Sequence, residues 1–147
     1  MESAFPKLPL ISWIEWASYP ALRQALVNRD FRVFTLDGAG ITSREVLFAQ
    51  AAQDLPLDPP LGSGHSYSWD ALNDSLWGGF RALDEQRIAV MWRHVDVLLA
   101  HDAEVLVNAL ESFRDTAVAL YATPDKVVVK VFLVGAGSSF KPFIEPE

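Results

Sequence analysis

The sequence predicts an α/β protein with a small three-stranded parallel sheet covered by helices. Half of the 147 residues are hydrophobic, which is enough for one domain with a substantial core. Three near-continuous apolar segments are typical of strands, at residues 31–36, 88–92 and 127–134. Strands that are apolar on both faces indicate a parallel sheet between layers of helices, and helical patterns do separate these three segments.

Helix signals lie between the predicted strands. Thr42-Ser43-Arg44-Glu45 is a capping box that opens the first of these helices. Ser68 is a good N-cap for the second, and Gly78-Gly79 suits its C-terminus. A long helix is predicted from Asp102 to Tyr121, and its polar face carries Asn108, Glu111, Ser112 and Asp115. The first and second helices are separated by a loop rich in Pro, Gly and Ser, residues 55–67.

Composition divides the chain into three parts. Residues 1–30 are aromatic and interrupted by prolines, and we expect them to form an appendage that packs on the domain. A helix from Tyr19 to Asn28 is predicted within it. Residues 31–134 form the domain, and residues 135–147 are predicted to be a tail.

The bulk chemistry excludes several functions. A formal net charge of −7 weighs against direct binding of nucleic acid, whose affinity depends on Lys and Arg at phosphates. Cysteine is absent, which excludes disulfides, thiolate zinc sites and a cysteine nucleophile. The three histidines lack metal-ligand spacing, so we expect neither metal nor cofactor. No apolar run is long enough to span a membrane and no signal-peptide pattern is present, so we expect a cytoplasmic protein.

Residues 68–77 are the most informative segment for function. In a helix that begins at Trp69, the apolar side chains Trp69, Leu72 and Leu76 share one side. A different side carries polar and aromatic groups: Asp70, Asn73, Asp74 and Trp77.

The two aspartates of this helix are placed unfavourably for stability alone. Like charges at positions i and i+4 cost a few tenths of a kcal/mol. A first-turn acid interacts well with the helix dipole, which accounts for Asp70 but poorly for Asp74. A general acid/base pair, as in glycoside hydrolases, is one functional alternative. Adjacent turns of one helix flank a scissile bond poorly, and we therefore expect that the chain is not an enzyme.

Several segments, taken in order, resemble the barstar family. Trp69 to Leu76 fits the pattern Leu-Asp-Ala-Leu-x-Asp-x-Leu, and the resemblance covers about residues 31–134. The other matching segments are Asp37-Gly38 with Ile41 after the first strand, Ile88 to Met91 with Trp92-Arg93 in the second strand, and Phe113-Arg114-Asp115 on the long helix.

The resemblance implies a protein inhibitor of a ribonuclease. In this family the acidic helix and the loop before it enter the nuclease active site, where their carboxylates replace RNA phosphates. The implied contacts here are Asp70, Asp74 and Asp115. The expected partner is a basic extracellular-type ribonuclease or a nuclease toxin domain, and the protein would act as an intracellular immunity protein or antitoxin. No direct contact with nucleic acid or membrane is expected.

Two departures from the family pattern change the expected contacts. Asn73 stands where the family usually has an aromatic residue between the two aspartates. Trp77, one turn later, is predicted either to replace it as an interface anchor or to pack into the core. The loop before the helix is longer and lacks a Tyr-Tyr-Gly run, so Tyr67 or His65 is expected to supply the missing contact.

An alternative hypothesis keeps the fold but not the nuclease. Trp13, Trp16 and Tyr19 of the appendage would then dock a non-nuclease partner or a second copy of the chain. Otherwise, the two tryptophans are expected to cover the core. On the alternative hypothesis, deletion of residues 1–30 would abolish partner binding. On the inhibitor hypothesis, nuclease binding would survive the deletion if the domain still folds.

Overall fold

The computed structural model describes residues 10–61 and 68–136. It confirms the α/β class. Its strands and helices are, in chain order, β1 (Ile11–Glu15), a short 3-10 helix (Trp16–Ser18), α1 (Tyr19–Asn28), β2 (Arg32–Asp37), α2 (Arg44–Asp54), α3 (Trp69–Ala82), β3 (Arg87–Arg93), α4 (Val95–His101), α5 (Ala103–Tyr121) and β4 (Val128–Gly135).

Within the described residues, four strands form one parallel sheet in the order β1-β4-β3-β2. The predicted count of three strands is therefore wrong. The additional strand, β1, comes from the predicted appendage and pairs Ile11 with Val131 of β4. Its five residues include Ser12 and Glu15 and are half-buried or exposed. A short edge strand of this kind lacks the continuous apolar run that marks the central strands.

The two faces of the sheet differ in how they are covered. Residues alternate along β3, so that Val90 belongs to the larger core with α2, α3 and α5, whereas Met91 belongs to a smaller one. In the smaller core Met91 packs near Leu26 of α1. Because the middle of β3 is buried on both faces, its residues from Ile88 to Trp92 are all apolar, and the arginines lie only at its two ends.

Helix α4 was not predicted from the sequence. It follows His94, whose left-handed backbone, with φ 56° and ψ 39°, joins it to β3. Asp102 ends α4 and caps α5, since its carboxylate accepts a hydrogen bond from the Val105 N–H at 3.2 Å. The predicted start of the long helix is thus confirmed. The prediction that Ser112 lies on its polar face is wrong, because this side chain is buried.

Two glycines of α3 have a role other than the predicted one. The helix does not end at Gly78-Gly79 but continues to Ala82. A Cβ on Gly78 would lie 2.0 Å from the carbonyl oxygen of Asp58, and one on Gly79 would lie 1.3 Å from that of Pro56. Glycine is therefore required because the preceding loop runs against the helix.

Candidate functional site: the exposed face of helix α3

The N-cap and the buried contacts of α3 determine how the helix is rotated about its axis. Ser68 caps the helix, because its Oγ accepts a hydrogen bond from the Ala71 N–H at 3.0 Å. Leu72 and Leu76 are fully buried. Trp69 packs edge-on against Phe48 of α2, with ring centroids 5.1 Å apart. These contacts determine which side chains of the helix point outward.

The outward side of α3 carries the two predicted aspartates, and we call the surface formed by Asp70, Asp74 and Trp77 the exposed strip. Asp70 and Asp74 are both exposed. Within residues 10–61 and 68–136, neither carboxylate takes part in an ion pair. The nearest basic residue along this strip, Arg81, pairs instead with Asp125 at 3.5 Å. The two carboxylates are therefore available to an external cation.

Trp77 lies on the exposed strip about one helical turn after Asp74. It is 39 % exposed, so the alternative that it packs into the core is wrong. The guanidinium of Arg81 lies 5.7 Å from its ring centroid. That cation–π contact steadies the indole while much of the side chain stays open to solvent.

Asn73 occupies the border of the strip. Its residue is half-buried, and its Oδ1 atom is buried without a hydrogen-bond partner in the described part of the chain. As placed, this oxygen is inaccessible to a bound protein, so a contact through it would require the amide to rotate. The role of Asn73 in binding stays a prediction.

Asp115 lies on α5, the helix that packs against α3. It is exposed, and in the described segments it forms no ion pair. Phe113 and Ala117, on the other side of α5, are buried in the core. Asp115 thus points away from the sheet. His65 and Tyr67, the two remaining predicted contacts, lie outside the described residues.

The loop before α3 is hydrogen-bonded along one side of the helix. The Asp58 N–H donates to the carbonyl oxygen of Ser75 at 3.0 Å, and the Ser75 hydroxyl donates to the carbonyl oxygen of Pro59 at 2.7 Å. Neither this role of Ser75 nor that of the loop is predicted from the sequence. The available signal was the pair Gly78-Gly79 inside a strongly amphipathic helix, which indicates close approach of another segment.

The aromatic residues near the N-terminus form a separate cluster at the carboxyl end of the sheet. Trp16 stacks on Tyr19 and His94, with centroid distances of 5.5 and 4.9 Å. The Arg93 guanidinium lies 5.3 Å from the centroid of Trp16 and 5.7 Å from that of Tyr19. The cluster ties the segment after β1 to the end of β3. Trp13 is half-buried against the large core, as expected for a core-covering residue.

The described residues contain neither a membrane-spanning helix nor a metal cluster. Among the residues with described structure, none of the helices combines the length and apolar character that crossing a membrane requires. In the same residues, no group of three or more His, Asp or Glu side chains could hold a metal ion.

Comparison with known proteins identifies the family. A search of curated proteins gave no match. A family model described as Barstar (barnase inhibitor) matches residues 31–134, more than two thirds of the chain. The matched range includes β2, β3, helices α2 to α5 and β4 up to Val134, and hence all three exposed aspartates described above. By fold and by this match, the chain belongs to the barstar family.

Proposed function

We propose that this protein inhibits a basic ribonuclease by placing Asp70 and Asp74 against cationic side chains of the active site. The observation that carries the proposal is the exposure of both carboxylates, one turn apart, on a helix whose other side is locked in the core. They lie inside the range matched by a family that is described as a barnase inhibitor.

The chemistry of the strip fits such a partner. A ribonuclease binds RNA phosphates with cationic residues, and arginine forms paired hydrogen bonds with carboxylate as it does with phosphate. Positions i and i+4 of a helix place their Cβ atoms about 5–6 Å apart, so the two carboxylates can meet two neighbouring cations. Since the helix is already ordered, little conformational freedom is lost on binding.

Asp115 and Trp77 complete the proposed surface. Asp115 adds a third exposed carboxylate from α5, and Trp77 adds an aromatic side chain of the type enriched in interface hot spots. His65, Tyr67 and Asn73 stay predicted contacts. The net charge of −7 would accelerate encounter with a basic nuclease. We further propose that the protein serves as an intracellular immunity protein against a secreted ribonuclease or a nuclease toxin domain.

The test is an inhibition titration. Barnase, the nuclease in the family description, would be used first, followed by other basic ribonucleases and nuclease toxin domains, at low and moderate salt. We expect stoichiometric inhibition that weakens with salt. Asp74→Asn should lower affinity about 10- to 100-fold, because hydrogen bonds to charged groups contribute about 1.5–3 kcal/mol.

The matched control is Asp30→Asn. Asp30 is an exposed aspartate that follows α1, on the other side of the sheet from α3. Its left-handed φ of 66° is tolerated by asparagine. The control should inhibit as the parent does. Equal inhibition by Asp74→Asn, Asp70→Asn and the parent would refute the proposed surface.

A further inference from the structure

We infer that the outer side of helix α5 binds a second copy of this chain, so that the two helices pair antiparallel about a two-fold axis. Six side chains of α5 are spaced alternately by three and four residues, as are positions a and d of a coiled coil. We call them the α5 stripe: Glu104, Val107, Glu111, Arg114, Val118 and Tyr121. Asp115, the predicted nuclease contact on the same helix, is not one of them.

The α5 stripe lies on the side of the helix away from the core. All six of its residues are exposed. The residues on the opposite side are buried: Leu106, Ala109, Phe113, Thr116, Ala117 and Leu120. Because an α-helix rises by about 1.5 Å per residue, the stripe is open along about 25 Å of the helix.

Half of the α5 stripe is apolar or aromatic although it faces solvent. Val107 is 47 % exposed, and Val118 and Tyr121 are each 54 % exposed. Valine is a weaker helix former than alanine, so neither helix propensity nor core packing accounts for valine at these positions. On this side of α5 lies an open depression whose lining includes Val107, Leu110 and Arg114. A side chain from a facing helix can fill such a depression, as in knobs-into-holes packing.

The order of residues along the α5 stripe is complementary to itself when the two helices are antiparallel. A register that places Glu111 against Arg114 of the second copy also places Val107 against Val118. The same register sets Glu104 opposite Tyr121, whose hydroxyl can donate a hydrogen bond to the carboxylate. A two-fold axis repeats each contact, so the interface contains two Glu–Arg pairs and two pairs of valines.

The charges of the α5 stripe favour a second copy as the occupant. Glu111 and Arg114 are exposed, and within residues 10–61 and 68–136 neither forms an ion pair. A purely basic partner would face Arg114 with a like charge, and a purely acidic partner would do the same at Glu111. A parallel pair of copies would bring like residues together. The antiparallel second copy supplies both charges in the required order.

Interface size and net charge predict that the dimer is weak. One pair of helices buries less than the roughly 1,600 Å² of a standard protein interface. Two copies that each carry a formal charge of −7 also repel each other at long range, and salt screens this repulsion. We therefore expect a dissociation constant on the order of 100 µM at moderate salt.

The experiment is sedimentation equilibrium of the full chain at moderate salt, at concentrations below and above the expected dissociation constant. The variants are Glu111→Arg, Arg114→Glu and the exchange of both residues, Glu111→Arg/Arg114→Glu. Either single reversal replaces two attractive pairs by two repulsive ones, so dimerisation should weaken about ten-fold or more. The exchange should restore dimerisation, because each pair again joins opposite charges.

Two comparisons locate the interface. An equimolar mixture of Glu111→Arg and Arg114→Glu should form heterodimers at concentrations where each variant alone is monomeric. The control is Arg23→Glu, which changes the net charge as Arg114→Glu does. Arg23 is an exposed arginine of α1, on the other face of the sheet, so this control should dimerise nearly as the parent does.

A parent protein that stays monomeric well above the expected dissociation constant would overturn the inference. Dimers that both single reversals leave unchanged would also overturn it, because the contact would then lie on another surface. The same holds if the mixture of the two reversals associates no better than each variant alone. Circular dichroism of every variant checks that it is folded.

Discussion

The exposed strip of α3 and the aromatic cluster around Trp16 use their polar groups in opposite ways. Asp70 and Asp74 have no ion-pair partner within the described residues, although they repel each other. The Arg93 guanidinium, in contrast, lies over the Trp16 and Tyr19 rings, and His94 stacks on Trp16. The carboxylates of the strip are thus unpaired in the described part of the chain, whereas Arg93 and His94 lie against aromatic rings and join two segments of the fold.

Because of this difference, substitutions in the two regions should affect different properties: affinity for a nuclease in one and the free energy of unfolding in the other. A substitution in the strip should change affinity for a nuclease and leave the free energy of unfolding nearly unchanged. A substitution in the aromatic cluster should do the reverse. The alternative hypothesis, in which the aromatic segment docks a partner, predicts instead that binding depends on Trp16.

The largest expected effect is a loss of stability when the contact between α3 and the loop before it is disturbed. Gly79→Ala would place a Cβ 1.3 Å from the Pro56 carbonyl oxygen. Since the loop must move, we expect a loss of about 3 kcal/mol or more, beyond the roughly 1 kcal/mol that alanine gains in a helix. Urea denaturation measures it. Gly40→Ala, where no atom lies within 4 Å, is the control and should change stability little. A stable Gly79→Ala protein would show that the loop does not constrain α3.

Trp77→Ala should give the clearest loss of binding without unfolding. Among the described residues its ring interacts with one charged group, the Arg81 guanidinium, and an exposed cation–π contact contributes about 0.5–1 kcal/mol, so its removal should alter the free energy of unfolding by about 1 kcal/mol. As an interface hot spot it should contribute about 2 kcal/mol, or roughly 30-fold in affinity. Inhibition constants and denaturation curves of the same preparation test both statements. An unchanged inhibition constant would remove Trp77 from the surface.

Trp16→Ala is the matched substitution in the aromatic cluster, since Trp16 is also 39 % exposed. It removes two stacked pairs and the contact with Arg93. Aromatic pairs contribute about 0.5–1.5 kcal/mol each and an exposed cation–π contact about 0.5–1 kcal/mol. Because the Trp16 ring is partly exposed, we take the lower end of each range and expect a destabilisation of about 1.5 kcal/mol. Inhibition of the nuclease by the folded protein should not change. A loss of binding at unchanged stability would favour the docking hypothesis.

The smallest expected effect is a dependence of stability on alkaline pH. Burial lowers the pKa of Lys130 below its usual 10.5. Between the lowered pKa and 10.5, the unfolded chain binds a proton that the folded chain has lost, so stability should rise with pH in that window. Lys130→Met should remove this rise. Denaturation of both proteins across the alkaline range measures the difference, and a pH-independent difference would contradict it.

Local patterns predicted most of α3. The spacing of Trp69, Leu72 and Leu76 and the N-cap Ser68 were enough to predict its buried side and its beginning. Strand β1 could not be predicted in the same way, because its pairing with β4 joins residues more than a hundred positions apart. An edge strand needs such a partner more than it needs an apolar run of its own.

The remaining errors have a similar origin. Gly78-Gly79 is a pattern typical of a helix end. In the structure these positions require glycine for another reason, because the loop backbone at Pro56 and Asp58 leaves no room for a Cβ atom. Ser112 has a polar side chain, but the packing of α5 on the domain buries it. In each case tertiary packing overrides a local preference. The predicted domain boundaries and the binding roles of the site residues stay predictions.

The decisive measurement uses the ribonuclease that the parent protein inhibits in the titration described above, and compares three inhibitors at equal concentration: the parent, the Asp70→Asn/Asp74→Asn double variant and Trp16→Ala. Our account predicts stoichiometric inhibition by the parent and by folded Trp16→Ala, with inhibition lost in the double variant while its stability is kept. Inhibition by the double variant equal to that of the parent would contradict the account.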